Sequence, residues 1–106
     1  MDYKFQYDKR LRISIPVLCK NWSEYPENIQ AEILLQWERE RGRIPERIRE
    51  LEKIIREKQT LLNHEEDFEK SCQLNAEIAE LASIINDLWI WYRVNQVSLE
   101  EDSAYA

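Results

Sequence analysis

The sequence has one glycine, one histidine, two cysteines and three prolines in 106 residues, and each scarcity removes a class of function. With a single glycine there is no loop able to wrap a phosphate, and the GxxxxGKS/T, GxGxxG and GxSxG patterns are all missing. Cys19 and Cys72 lie far apart and make no CxxC or zinc spacing. Neither has a partner base in view for nucleophilic or redox work, and Cys72, one turn after Phe68, is expected to fill space as a small apolar side chain. His64 stands in the acidic run His64-Glu65-Glu66-Asp67, with Phe68 where a helical metal site would need its second ligand. It is expected in a solvated turn. No apolar run approaches the roughly 20 residues that cross a bilayer, and the start of the chain does not resemble a secretory signal. These absences set a first group of expectations: no enzymatic activity, no cofactor, no metal, no small-molecule substrate, no membrane partner, and a cytoplasmic protein with reduced thiols.

What is abundant points to helix. Glu, Leu, Ile, Arg and Lys dominate, and 43% hydrophobic with 34% charged residues is the balance of a folded chain rather than a disordered one. At 12.9 kDa there is room for one core only. Two apolar runs step alternately by four and three. The first is Ile44, Ile48, Leu51, Ile55 and Leu62, with Lys58 in one slot; the second is Leu74, Ile78, Leu81, Ile85, Leu88 and Tyr92. Such spacing keeps a stripe on one side of a helix for several turns, and the polar break between the runs predicts an antiparallel helical hairpin.

The fold class expected is therefore all-α, bundle-like, with three main helices over about 24–41, 45–63 and 66–96, the last two forming the long hairpin. Ser23 is expected to cap the first, with Pro26 in its first turn, and Gly42 to end it in the left-handed conformation. Residues 1–22 alternate apolar and polar around Tyr3, Phe5, Tyr7, Leu11, Ile13, Ile15 and Val17. Two short strands would show that pattern, but Asp8-Lys9-Arg10 lacks the glycine or asparagine of a tight hairpin turn, so an extended arm is expected. Residues 23–97 form the helical domain and 98–106 a flexible acidic tail.

Charge is unevenly spread. The formal net charge is -6, which opposes wholesale coating of nucleic acid. Yet Arg39 to Lys58 carries eight basic against five acidic residues, while His64 to Ile90 carries seven acidic residues and Lys70 alone. A basic helix lying beside an acidic one accounts for this division. The end of the third helix, Ile84 to Val94, is apolar in nearly all directions, so one neighbouring helix cannot cover it. The first helix, through Trp37 and its isoleucines, and the amino-terminal arm can cover it from within the chain, and a second copy in a homodimer is the alternative.

Residues 68–81, Phe68-Glu69-Lys70-Ser71-Cys72-Gln73-Leu74-Asn75-Ala76-Glu77-Ile78-Ala79-Glu80-Leu81, resemble the second half of the UVR motif, FExAAxLRDxIxxL, with Leu51-Glu52 placed like its first helix. The resemblance covers residues 48–81. Ser71-Cys72 stands where the motif has paired alanines and Asn75-Ala76 where it has Arg-Asp. It implies a helical hairpin that mediates protein contacts, as in excision-repair subunits and chaperone-protease adaptors. The function expected is thus a non-enzymatic protein–protein interaction module, a small helical adaptor or regulator. Its contact residues are Trp89, Ile90, Trp91 and Val94, with Arg43, Arg47 and Arg49 as charged rim. The alternative is a nucleic-acid-associated protein that uses the basic stripe Arg39–Lys58.

Overall fold

A computed structural model describes residues 2–94. The chain begins with two strands, β1 (Tyr3–Asp8) and β2 (Ile13–Leu18), and a short 3-10 turn at Trp22–Glu24 follows. Three α-helices complete the described part: α1 (Glu27–Arg41), α2 (Ile44–His64) and α3 (Phe68–Tyr92). The protein is mostly helical, with two long helices in α2 and α3, but it is not purely all-α. Helical segments among the described residues number four, because the 3-10 turn precedes α1. The predicted tail, 98–106, and the end of the third predicted helix beyond Val94 lie outside the described residues.

The first correction concerns the amino-terminal arm, which is a β-hairpin. β1 and β2 pair antiparallel from Tyr3 opposite Leu18 to Asp8 opposite Ile13. The turn works without glycine or asparagine because Asp8 organises it. Its carboxylate accepts the backbone N–H of Arg10 and of Leu11, each at 2.9 Å, and its carbonyl accepts that of Arg12 at 2.7 Å. Arg12 takes the left-handed conformation, φ 62°, to close the loop; for a side chain with a Cβ this costs roughly 1–2 kcal/mol. Two strands alone would be marginal. These are held by packing, since Leu11 and Ile13 are buried with Trp37, Ile44, Ile48, Leu51, Ile84 and Leu88. At the open end of the hairpin the Tyr25 hydroxyl donates to the Asp2 carbonyl at 2.6 Å and accepts from the N–H of Cys19 and Lys20.

The entry to α1 also differs from expectation. Ser23 lies inside the 3-10 turn, and Pro26 occupies the position before the helix, where its missing N–H costs nothing. Gly42 is not left-handed. It has φ -64° and ψ -18°, and Arg43 after it is likewise right-handed, so the chain passes from α1 into α2 through a nearly helical corner. Pro45 then sits in the first turn of α2, again where no N–H is needed.

α2 and α3 form the long antiparallel hairpin, joined by Glu65-Glu66-Asp67. Asp67 caps α3 by accepting the N–H of Glu69 at 2.9 Å and of Lys70 at 3.2 Å. At the other end of α3 the carbonyls of Tyr92 and, just past the helix, of Val94 take their donors from elsewhere. α1 supplies the donors: the Trp37 indole N–H meets the Val94 carbonyl at 2.9 Å, and Arg41 Nε meets that of Tyr92 at 2.7 Å. The Arg41 guanidinium also lies 4.6 Å over the Tyr92 ring, a cation placed at the negative end of the helix.

The core is confined to one end. The strands, α1, the first two turns of α2 and the last three of α3 enclose it; a second cluster of Trp22, Tyr25 and Ile33 adjoins it. Beyond Leu51 the two helices continue with no third element against them. The radius of gyration, 18.2 Å, exceeds the ~13 Å of a compact chain this long. The molecule is a small head bearing a two-helix projection.

Candidate functional site

The projection is where the surface is least like a solvated helix pair. Inside its seam Ile55, Leu62, Leu74 and Ile78 are half-buried. Lys58, in an otherwise apolar slot, turns to meet Glu77 on α3, Nζ to Oε2 at 2.7 Å. That hydrogen bond, together with the positive charge of Lys58, holds the Glu77 carboxyl below its ordinary range. A depressed carboxyl stabilises the fold above its unfolded value, about pH 4.3, and loses that contribution as pH falls through the folded value. The gap in melting temperature between the wild-type chain and Lys58→Met should therefore narrow between about pH 5 and pH 3. A gap that widens on acidification would show that the pair does not stabilise the hairpin.

Outside the seam, apolar side chains stand in water. Phe68 at the tip is 80% exposed and Leu61 60%, with Ile54 one further pair of turns down the same side of α2. Leu61, Leu74, Glu65, Lys70, Gln73 and Glu77 line a shallow groove along one flank of the projection. On α3 near the head, Trp89 is 39% and Ile90 52% exposed.

The contact residues expected from sequence divide. Trp89 and Ile90 reach the surface. Trp91 packs against the core, its ring edge-on to Trp37 at 5.8 Å, and Val94 touches both clusters, so neither offers a free face. Part of the reason is the 100° step of the helix, which turns residues 89 and 90 away from α1 and 91 toward it. Among the arginines, Arg43 is exposed beside Glu40 at 3.6 Å, and Arg47 is largely covered. Arg12, Arg43 and Arg47 share a small pocket with Glu46 and Glu50, and Arg47 Nε finds no hydrogen-bond partner. Arg49 is exposed on another face of α2. Within the basic stretch, Arg41, Arg43, Arg47 and Lys58 each have an acidic partner within 4 Å.

Sequence reasoning missed two features. Ile54 and Leu61 are seven residues apart and flank the hairpin stripe, a spacing that marks a second apolar edge. Arg10 could not have been read from local pattern: its guanidinium reaches from the β-turn to Glu80 at 3.0 Å, Asp87 at 2.6 Å and the Ser83 hydroxyl at 2.8 Å, pinning the strands onto α3.

His64 is exposed, its Nδ1 2.9 Å from the Thr60 carbonyl. Among the described residues no group of three His, Cys, Asp or Glu side chains is placed to hold a metal ion, and no helix is long and apolar enough to cross a membrane. No protein-family model matches the chain, and neither do curated proteins or solved structures.

Proposed function

We propose that this chain is a non-enzymatic protein–protein interaction module, an adaptor or regulator that works through the surface of its helical hairpin. The observation that carries this reading is the uncovered projection. A 106-residue chain commits two long helices to a structure that buries little along half its length, and lines the outside with Ile54, Leu61 and Phe68. Leu61 borders the groove and Ile54 stands two turns away on the same side of α2, an apolar edge open to a partner's surface. An amphipathic hairpin with a groove on its flank suits a helical or extended segment of a partner. The likeness of residues 48–81 to the UVR hairpin points the same way. Trp89 and Ile90, exposed at the head end of α3, are a second contact surface in this reading, with Arg43 and Arg49 as charged rim.

Leu61→Glu tests the reading. An exposed substitution of this kind changes stability by no more than about 0.5 kcal/mol, so far-UV circular dichroism and the melting temperature should match the wild-type chain. Quantitative affinity capture from the cells that make the protein should lose one or more partners held by the wild-type bait. Identical captured sets for the two baits, or none above background for either, would reject the groove as a docking site.

A further inference from the structure

The two edges of the β-hairpin are not alike. Its ladder includes the Cys19 N–H bonded to the Asp2 carbonyl at 3.0 Å and alternates from there, so the backbone groups of Tyr3, Phe5 and Tyr7 on β1, and of Ser14, Pro16 and Leu18 on β2, point outward. The β2 edge is closed. Pro16 has no N–H to offer, and the Ser14 N–H is taken by the Glu40 carboxylate of α1 at 3.2 Å. The β1 edge is open: the sheet has two strands only, and among the described residues the N–H and carbonyl groups of Tyr3, Phe5 and Tyr7 meet no donor or acceptor. Tyr7 is 53% exposed, and Lys4 and Gln6 also stand in water.

We infer that β1 takes a third strand from another protein, an extended segment of alternating apolar and acidic residues laid antiparallel along Tyr3 to Tyr7. A row of peptide groups at strand spacing specifies its occupant as an apolar patch does not, because only another extended backbone presents acceptors and donors in the same alternation. Antiparallel pairing is the more stable per residue. The site lies on the head, apart from the groove beside Leu61, and stands independently of the reading of the helical hairpin.

The side chains around the edge give the segment its chemistry. In an antiparallel pair, residues directly opposite Tyr3, Phe5 and Tyr7 share their face of the sheet, where the open Tyr7 ring favours an apolar or β-branched neighbour. The residues between share the face of Lys4 and Gln6. Lys4 on β1, with Lys9 and Arg12 in the turn, is exposed, and none of the three makes an ion pair among the described residues. The nearby acids are already engaged: Asp2 holds Lys20 at 2.7 Å, and the Asp8 carboxylate accepts the turn's N–H groups. A chain of net charge -6 thus keeps three unpaired cations beside its one open strand edge, which selects carboxylates in the incoming segment. β1 itself, with Lys4 and Asp8, is neutral and offers a second copy no such match.

Amide exchange and chemical shifts of the nitrogen-15-labelled full chain, titrated with a peptide about ten residues long that alternates valine and glutamate, test this. Without peptide the Phe5 and Tyr7 amides should exchange freely while those of Gln6 and Ile15, which pair across the ladder, are protected. Saturating peptide should slow Phe5 and Tyr7 at least about tenfold. Tyr7→Pro removes one outward donor at a side chain already in water, as Pro16 does on β2, and should bind at least about tenfold more weakly than Tyr7→Thr, which keeps the N–H. A peptide with lysine in place of glutamate should lose about tenfold or more. The register is read on the peptide, with the protein unaltered: N-methylation of the valines, whose N–H groups face β1, should abolish binding, and N-methylation of the glutamates, whose N–H groups face away, should not. No shift at Tyr3, Phe5 or Tyr7 with about 1 mM peptide, or binding indifferent to which amides are methylated, would overturn the proposal. So would protection of Phe5 and Tyr7 in the protein alone, which would mean that the chain covers its own edge or, where protection rises with concentration, that a second copy does. None of these results bears on the Leu61 groove, which has its own test.

Discussion

Trp37→Ala is expected to cost about 3–5 kcal/mol, the range for deleting a buried indole. A domain of this length has a total stability of roughly 5–15 kcal/mol, so the variant should lose between about a fifth and the whole of it. Trp37 is fully buried on α1 and sits among residues from both strands and both long helices. Its ring meets Trp91 edge-on, and its N–H satisfies the Val94 carbonyl at the end of α3. Removing it thus opens a cavity, breaks an aromatic pair and leaves a carbonyl unpaired. Trp37→Phe separates these effects: it retains most of the apolar contact and should cost about 1–3 kcal/mol, chiefly from the lost hydrogen bond and the smaller ring. Urea denaturation of the two variants is the measurement. A loss below about 1 kcal/mol for the alanine variant would mean that α1 is not the element closing the core.

The parts of this fold that were legible in the sequence are those that depend on neighbours a turn away. The alternating steps from Ile44 to Leu62 and from Leu74 to Tyr92 mark the faces that meet in the α2/α3 hairpin, because a helix writes its buried side into a local period. Features decided by distant contacts were not legible. The turn after β1 has no residue that favours φ above zero, yet it forms because the Asp8 carboxylate accepts two hydrogen bonds and Arg10 anchors the loop to α3, 70 to 77 positions along the chain. Gly42 looked like a left-handed stop because glycine usually serves that way, but the corner keeps right-handed angles at both Gly42 and Arg43. Trp89, Ile90, Trp91 and Val94 read as a single apolar cluster, and only the position of α1 decides which of them face water.

Ile13→Ala should cost about 2–4 kcal/mol, within the range for an isoleucine removed from a packed core. The outcome separates an amino-terminal hairpin that is part of the core from an arm laid over a helical domain already complete without it. Ile13 is 1% exposed and packs with the first turns of α2 and the last turns of α3. If the strands were an accessory, water or a shift of neighbouring side chains would fill the space and the loss would be a few tenths of a kcal/mol. Arg10→Ala is the companion change. Its ion pairs are more than a third exposed, and exposed pairs contribute about 0–1 kcal/mol, so it should cost far less than Ile13→Ala even though it breaks the only side-chain clamp between the β-turn and α3 among the described residues. A large loss at Ile13 with a small one at Arg10 means that burial holds the hairpin and the clamp sets its position. The reverse order would mean that the strands are tethered by charge, and their attachment would then weaken steeply with salt.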